Sequence, residues 1–161
     1  MNVREKDNGM KPRKLLRRRM VTATAAGLAA PFALPHKATA AEWTPAEKAN
    51  VQVVTDFCAA WPSHNLDQLL SFFADNGAYR MSETLEPVKG KQAVANRIAS
   101  FLDRVERFEV LDTLAKGPMV FNERIDHFHG GPLKSWHGVG VFFLKDGKIV
   151  EWYDYTIARE R

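Results

Sequence analysis

The segment Phe108–Pro132, FEVLDTLAKGPMVFNERIDHFHGGP, decides how this chain folds. Phe108, Val110 and Leu114 alternate with Arg107 and Glu109, a period of two that marks a strand with one apolar face. Gly117-Pro118 then turns the chain, and a second strand over Met119 to His129 stops at Gly130-Gly131-Pro132. A strand follows from Leu133 to Leu144, and Lys145-Asp146-Gly147-Lys148 is a hairpin signal into a last strand over Ile149 to Ile157. The C-terminal half therefore reads as an antiparallel meander.

The residues before it have the helical period instead. Thr44-Pro45-Ala46-Glu47 is a capping box with proline at the first helical position. Val53, Val54, Phe57, Cys58 and Trp61 recur at helical spacing until Pro62. A short helix is expected over Asn65 to Phe73, followed by a turn at Asp75-Asn76-Gly77 and a short strand near Ala78 to Ser82. Val94, Ile98, Phe101, Leu102 and Val105 predict a third amphipathic helix. About three helices followed by a meander is an α+β arrangement. Gly138 and Gly140, in one long strand, predict a sharp bend. The expected shape is a curved, mostly antiparallel sheet wrapped with the helices into a cone with an internal pocket.

The first forty residues have a different composition. Of 23 Lys/Arg and 19 Asp/Glu in 161 residues, nine and two lie before Ala41, leaving 14 and 17 in the rest. The remaining domain, residues 41–161, is thus mildly acidic, which argues against a nucleic-acid partner. A basic segment, the apolar run Met20 to Leu34 and the small-residue pattern Ala38-Thr39-Ala40 have the anatomy of an export signal cut after Ala40. Arg17-Arg18-Arg19-Met20-Val21 is similar to the twin-arginine signal, with Leu16 where Ser or Thr is usual. An apolar run broken by Pro31 falls short of the ~20 residues of a spanning helix, so no stable membrane anchor is expected in the mature form. The expected location is periplasmic or secreted. Cys58 is the only cysteine, so an intrachain disulfide is impossible.

Candidate chemistry concentrates in the meander. Asn122, Arg124, Asp126 and Phe128 share one strand face; Phe121, Glu123, Ile125 and His127 share the other. In the last strand Val150, Trp152, Asp154 and Thr156 alternate with Glu151, Tyr153, Tyr155 and Ile157. Both faces are mixed, so period alone leaves Arg124 and Asp126 as either a solvated pair or a buried one. A lone carboxylate such as Asp154 is rarely buried unless paired. If both strands join one curved sheet, the guanidinium fork of Arg124 can bridge Asp126 and Asp154. Two carboxylates around one arginine push their pKa values apart, one staying ionised and the other keeping a proton.

YRM (Tyr79 to Met81), NERID (Asn122 to Asp126) and DGKIVEWYDY (Asp146 to Tyr155) resemble the limonene-1,2-epoxide hydrolase family. Its members have the cone-shaped α+β fold shared with nuclear transport factor 2 and ketosteroid isomerase. The likeness spans nearly all of the mature chain. It implies that Asp154 is the base that deprotonates water, Asp126 the acid that protonates the epoxide oxygen, and Arg124 their bridge. Tyr79 matches a tyrosine that helps hold the water. The family has an asparagine two residues further on, where this chain has Met81. The implied reaction is one-step opening of an apolar, terpene-like or cyclic epoxide to a diol, with no cofactor, no metal and no covalent ester. Met81, Phe57, Trp61, Val139, Val141 and Trp152 are candidate substrate contacts, though plain core packing explains the apolar ones as well. A homodimer is also implied.

Other residues attract weaker readings. His127, His129 and His137 lack recognised metal-ligand spacing. Cys58 lies on an apolar helix face, where it reads as a small buried hydrophobe, and Asp112 reads as a surface carboxylate near a turn. The competing functions are a cone-fold isomerase or polyketide cyclase, which needs one aspartate base but no Arg-bridged second carboxylate, and an exported non-catalytic protein that binds small molecules.

Overall fold

The computed structural model describes residues 42–160; the export-signal reading concerns residues outside that range. Helix α1 (Pro45–Ala60) starts at the expected capping box: Glu47 N donates to Thr44 Oγ1 at 3.2 Å and Thr44 N to Glu47 Oε2 at 2.8 Å. A 3-10 turn at Trp61–Ser63 follows, then α2 (Leu66–Ser71), strand β1 (Phe73–Arg80) and the two-residue β2 (Val88–Lys89). Helix α3 (Lys91–Ala99) and a 3-10 turn at Leu102–Arg104 lead into β3 (Val105–Lys116), β4 (Met119–Phe128), β5 (Ser135–Lys145) and β6 (Lys148–Glu160).

These strands form one curved, unclosed sheet in the order β2-β1-β6-β5-β4-β3. The β3–β6 meander is antiparallel throughout, while β1 lies parallel to β6 and places Tyr79 opposite Trp152. The helices follow the expected order, with two boundaries moved. Phe73 opens β1, opposite Ile149, instead of closing α2; Val105 opens β3 instead of closing α3. Both are fully or nearly fully buried apolar residues at junctions, so either neighbouring period accommodates them.

The core lies between α1 and the concave face of the sheet. Phe57 is its centre, meeting Trp61, Phe72, Phe73, Phe142 and Trp152 edge-to-face at centroid distances of 5.1–6.0 Å. Such pairs add about 0.5–1.5 kcal/mol each beyond burial of area. The curvature has a source besides glycine. Bulges interrupt the pairing between Val105 and Arg107, between Val110 and Asp112, and in β6 opposite Phe143/Leu144 and His137/Gly138. Each bulge adds local twist and reverses the inside–outside phase. Hence Ile149 and Trp152, three residues apart, both point inward, and Val150 does not share the buried face of Trp152 as strict alternation requires.

Glu47 also ties α1 to the sheet: Gly117 N in the β3–β4 turn donates to its Oε1 at 2.7 Å, and Asn50 Nδ2 donates to Gly117 O at 3.1 Å. Replacing Thr44 by Ala removes the cap that holds this glutamate in place. We expect a loss of about 1 kcal/mol, read as a downward shift of the thermal unfolding midpoint by several degrees.

Candidate active site

Strand β4 settles which phase of NERIDHF is inside. Val120, Asn122, Arg124 and Asp126 are buried, whereas Phe121, Glu123, Ile125 and His127 lie half-buried on the outer face. Arg124 is 0% exposed, Asp126 5% and Asp154 3%. The charges are therefore taken out of water, and they are paired there. Arg124 Nε donates to Asp126 Oδ1 at 2.8 Å and Nη2 to Asp126 Oδ2 at 3.3 Å. Nη2 also donates to Asp154 Oδ1 at 2.9 Å.

Reaching Asp154 requires crossing a strand. Arg124 is on β4 and Asp154 on β6, two strand spacings or roughly 10 Å apart, with β5 between them. The residue of β5 that pairs with both Asn122 and Asp154 is Gly140. A Cβ there would overlap Arg124 Nη1 and come within 2.8 Å of the Phe142 ring. Gly140 is thus the passage through which the guanidinium extends, in place of the simple bend read from the sequence. Gly138 does sit at a bulge, and a Cβ on it would overlap the Trp136 ring and Tyr155 O. Phe108, Trp136 and Trp152 face the guanidinium, with centroids 4.7, 5.1 and 5.4 Å from Cζ.

The two carboxylates are not equivalent. Asp154 Oδ1 accepts from Arg124 and from Trp152 Nε1 at 2.8 Å, and its Oδ2 accepts from Tyr79 OH at 3.3 Å. Tyr79 is stacked on Trp152, with centroids 3.9 Å apart. Asp126 has Arg124 as its sole donor residue among the described residues. Burial raises Asp126 most strongly; Arg124 opposes that and the Asp154 charge adds to it, bringing the group to about 7. Burial also raises Asp154, against Arg124 and the donated hydrogen bonds. The coupled pair keeps one proton near neutrality. Three donor residues aimed at Asp154 favour its anion, so Asp126, with the guanidinium as its one donor residue, is the better placed of the two to hold a proton. Burial opposes the charge of Arg124, but Asp126 and Asp154 outweigh it, so the guanidinium stays protonated. Burial and the Asp154 charge hold the Tyr79 hydroxyl well above its usual range, leaving it a neutral donor.

Asp126, Asp154 and Tyr79 open on a cavity of about 360 Å³. Its walls include Met81, Ser82, Phe101, Phe128, Pro132, Leu133 and Trp136, with Arg104 and Arg159. Of the residues expected to contact substrate, Met81 lines the cavity. Phe57, Trp61 and Trp152 are instead packed in the core, each 0% exposed and none lining the cavity. Trp152 acts behind the site, holding Asp154. Val139 and Val141 lie on the outer phase of β5, since Gly138, Gly140 and Phe142 take the inner one. The sequence reading missed Trp136, although it shares the inner phase with Gly138, and the loop residues 132–133, which carry no periodic signal.

Two uncharged polar side chains near the carboxylates, Asn122 and Ser82, are both buried. Asn122 Oδ1 lies 4.0 Å from Cys58 Sγ and does not line the cavity, whereas Ser82 does, with its hydroxyl 3.0 Å from Thr84 Oγ1. Cys58 is buried, and burial pushes its thiol up to about 12, so it is no nucleophile. His127 and His137 pair on the outer face with Glu109 and Glu123, each at 2.8 Å. His129 follows β4, its main-chain N–H bonded to Arg104 O. No group of three or more His, Cys, Asp or Glu is arranged to hold a metal among the described residues. Asp112 is exposed.

A six-stranded curved sheet with helices across its concave face and buried carboxylates opening on a cavity is the NTF2-like cone arrangement. The SnoaL-like domain pattern matches residues 54–152, and the chain belongs to that family. Among solved structures it is similar to an LEH-like epoxide hydrolase of M. tuberculosis, at 25% identity over 70% of this chain and 86% of that one, with a TM-score of 0.62. It is also similar in fold to a protein of Xanthomonas campestris assigned as a polyketide cyclase, at 21% identity, 69% and 92% coverage and a TM-score of 0.58. A Jannaschia protein assigned as a SnoaL-like polyketide cyclase matches at 18% identity, 72% and 90% coverage and a TM-score of 0.62.

If Gly140 is the passage for Arg124, a methyl group there must displace the guanidinium. Gly140→Ala should cost about 1–3 kcal/mol, the usual range for overpacking, measured by urea unfolding. In an Arg124→Met background the same change should cost distinctly less, the difference being the coupling between the two positions.

Proposed function

We propose that the protein hydrolyses an apolar epoxide to a diol in one step. The observation that carries this reading is the pair of buried carboxylates on a single guanidinium, differently hydrogen-bonded and opening on the same apolar-walled cavity. Asp154 takes a proton from water as the water oxygen forms its bond to a ring carbon. The ring C–O bond breaks, and the departing oxygen takes the proton of Asp126. The diol then leaves with Asp154 protonated and Asp126 ionised, and transfer of one proton through solvent restores the resting pair. Arg124 compensates the charge at both stages, since it contacts both carboxylates. Tyr79 donates to Asp154 and keeps its oxygen lone pairs available to accept from the attacking water.

The similarity to the M. tuberculosis epoxide hydrolase supports the reading. An isomerase or cyclase needs one base and a donor for an oxyanion; a protonated carboxyl can be that donor, but such a step does not require a guanidinium bridging both acids. Met81 favours the other alternative, a binding protein, because a thioether on the cavity wall gives the water no strong acceptor or donor.

Incubation with terpene and cyclic epoxides should yield diols, and Asp154→Asn should abolish them. In heavy-oxygen water the first turnover should already carry label in the diol, as no ester forms. Retention of the epoxides alongside tight binding of apolar ligands would place the protein with the binders. The acid is effective only while protonated, so kcat should fall as pH rises through about 7, where Asp126 loses its proton. Supplying the missing amide should help orient the water. Met81→Asn is expected to raise kcat about tenfold, a fraction of what positioning can contribute, measured by initial rates of diol formation.

A further inference from the structure

Arg104 and Arg159 are exposed, yet they line the same cavity as buried Asp126 and Asp154. They come from separate segments, the 3-10 turn before β3 and the end of β6. Neither is in an ion pair among the described residues, where every pair found joins other groups. Arg159 is nonetheless held in place. Its Nη2 donates to Thr156 Oγ1 at 3.0 Å, and the same oxygen accepts from Trp136 Nε1 at 3.1 Å. That chain of bonds sets the guanidinium beside the aromatic wall. Glu83 is close enough for Arg159 to help lower its pKa, but its carboxylate accepts from Thr156 N at 3.1 Å. Arg104 stands near the Gly130-Gly131-Pro132 loop: its carbonyl accepts from His129 N at 3.0 Å, and a Cβ on Gly131 would lie 3.5 Å from its Nη1.

The cavity therefore has three zones: buried carboxyl groups, an apolar wall, and two exposed guanidinium groups, neither within ion-pair distance of a carboxylate among the described residues. A wholly neutral hydrocarbon epoxide has no use for the third zone. Arg124 sits against both carboxylates and offsets their charge, which lessens the repulsion of an anion at the reactive end. The rim cations then set the potential at the entrance. Guanidinium forks match carboxylate geometry.

We propose that Arg104 and Arg159 read a carboxylate at the cavity entrance, so that the ligand is an apolar chain or ring with a carboxylate at its outer end. For turnover this rests on the hydrolase reading and names its substrate class, an epoxy acid; the binding claim stands separately.

Two arms test it on the full chain. In the first, calorimetry compares decanoate with decanol on the wild type and on the Arg104→Gln/Arg159→Gln double variant. Decanoate should bind about tenfold more tightly, the sum of two exposed charge pairs of ordinary strength. The double variant should lose that preference and bind decanol as before, which also shows that the cavity is intact. Equal binding of the two ligands by the wild type, or a preference that survives in the variant, overturns the proposal. In the second arm, kcat/KM is measured for an epoxy fatty acid and its methyl ester. A preference for the acid of about tenfold, removed in the variant, supports both readings. Diol formation without that preference overturns the carboxylate reading and leaves the hydrolase standing. Arginine-dependent binding of decanoate with neither epoxide opened upholds the carboxylate reading and overturns the hydrolase.

Discussion

Everything in the site depends on a guanidinium that has no contact with solvent. Moving Arg124 out of water is costly, and a buried ion pair often contributes no more stability than apolar residues of the same volume. The fold meets the cost with two carboxylates and three aromatic faces, but one nitrogen, Nη1, has no acceptor among the described residues. An arrangement this demanding is poorly explained as a device for stability. It is better explained by what it does to its neighbours: one fixed positive charge lets two acids sit side by side in the same dry space.

The difference between the acids comes from what surrounds each one. The parallel pairing of β1 with β6 places Tyr79 beside Trp152. The indole lies across Tyr79 and turns its N–H to Asp154, so the strand register itself supplies two of the three donors to that carboxylate. Asp126, on the far side of the arginine, receives nothing comparable. A residue expected to touch substrate, Trp152, thus lies in the core and holds the Asp154 carboxylate from behind.

The order of helices and meander was legible because period and turn residues are local properties. Thr44, Glu47 and the Gly117-Pro118 turn announce themselves within a few positions. Phase was less legible, because bulges depend on how a strand meets its neighbour. Nothing in the residues Ile149 to Trp152 says that two of them, three apart, share a face. The triad could be suspected from residue types and a resemblance, but its burial could not be deduced from alternation, since both faces of β4 carry charge. The cavity wall was the least legible part. Pro132 and Leu133 come from a loop, and the assignment of Val139 failed on a choice between faces that is made by Gly140 and Phe142.

Gly140 links two positions that are otherwise free to vary. An arginine at 124 that spans β5 takes the space a side chain at 140 would need, and the Phe142 ring takes part of the rest. The two sites should therefore be inherited together across cone-fold relatives. A glycine at this point of the fifth strand is what the bridged pair of acids requires, and a side chain there marks a relative in which an arginine cannot cross the strand in the same way.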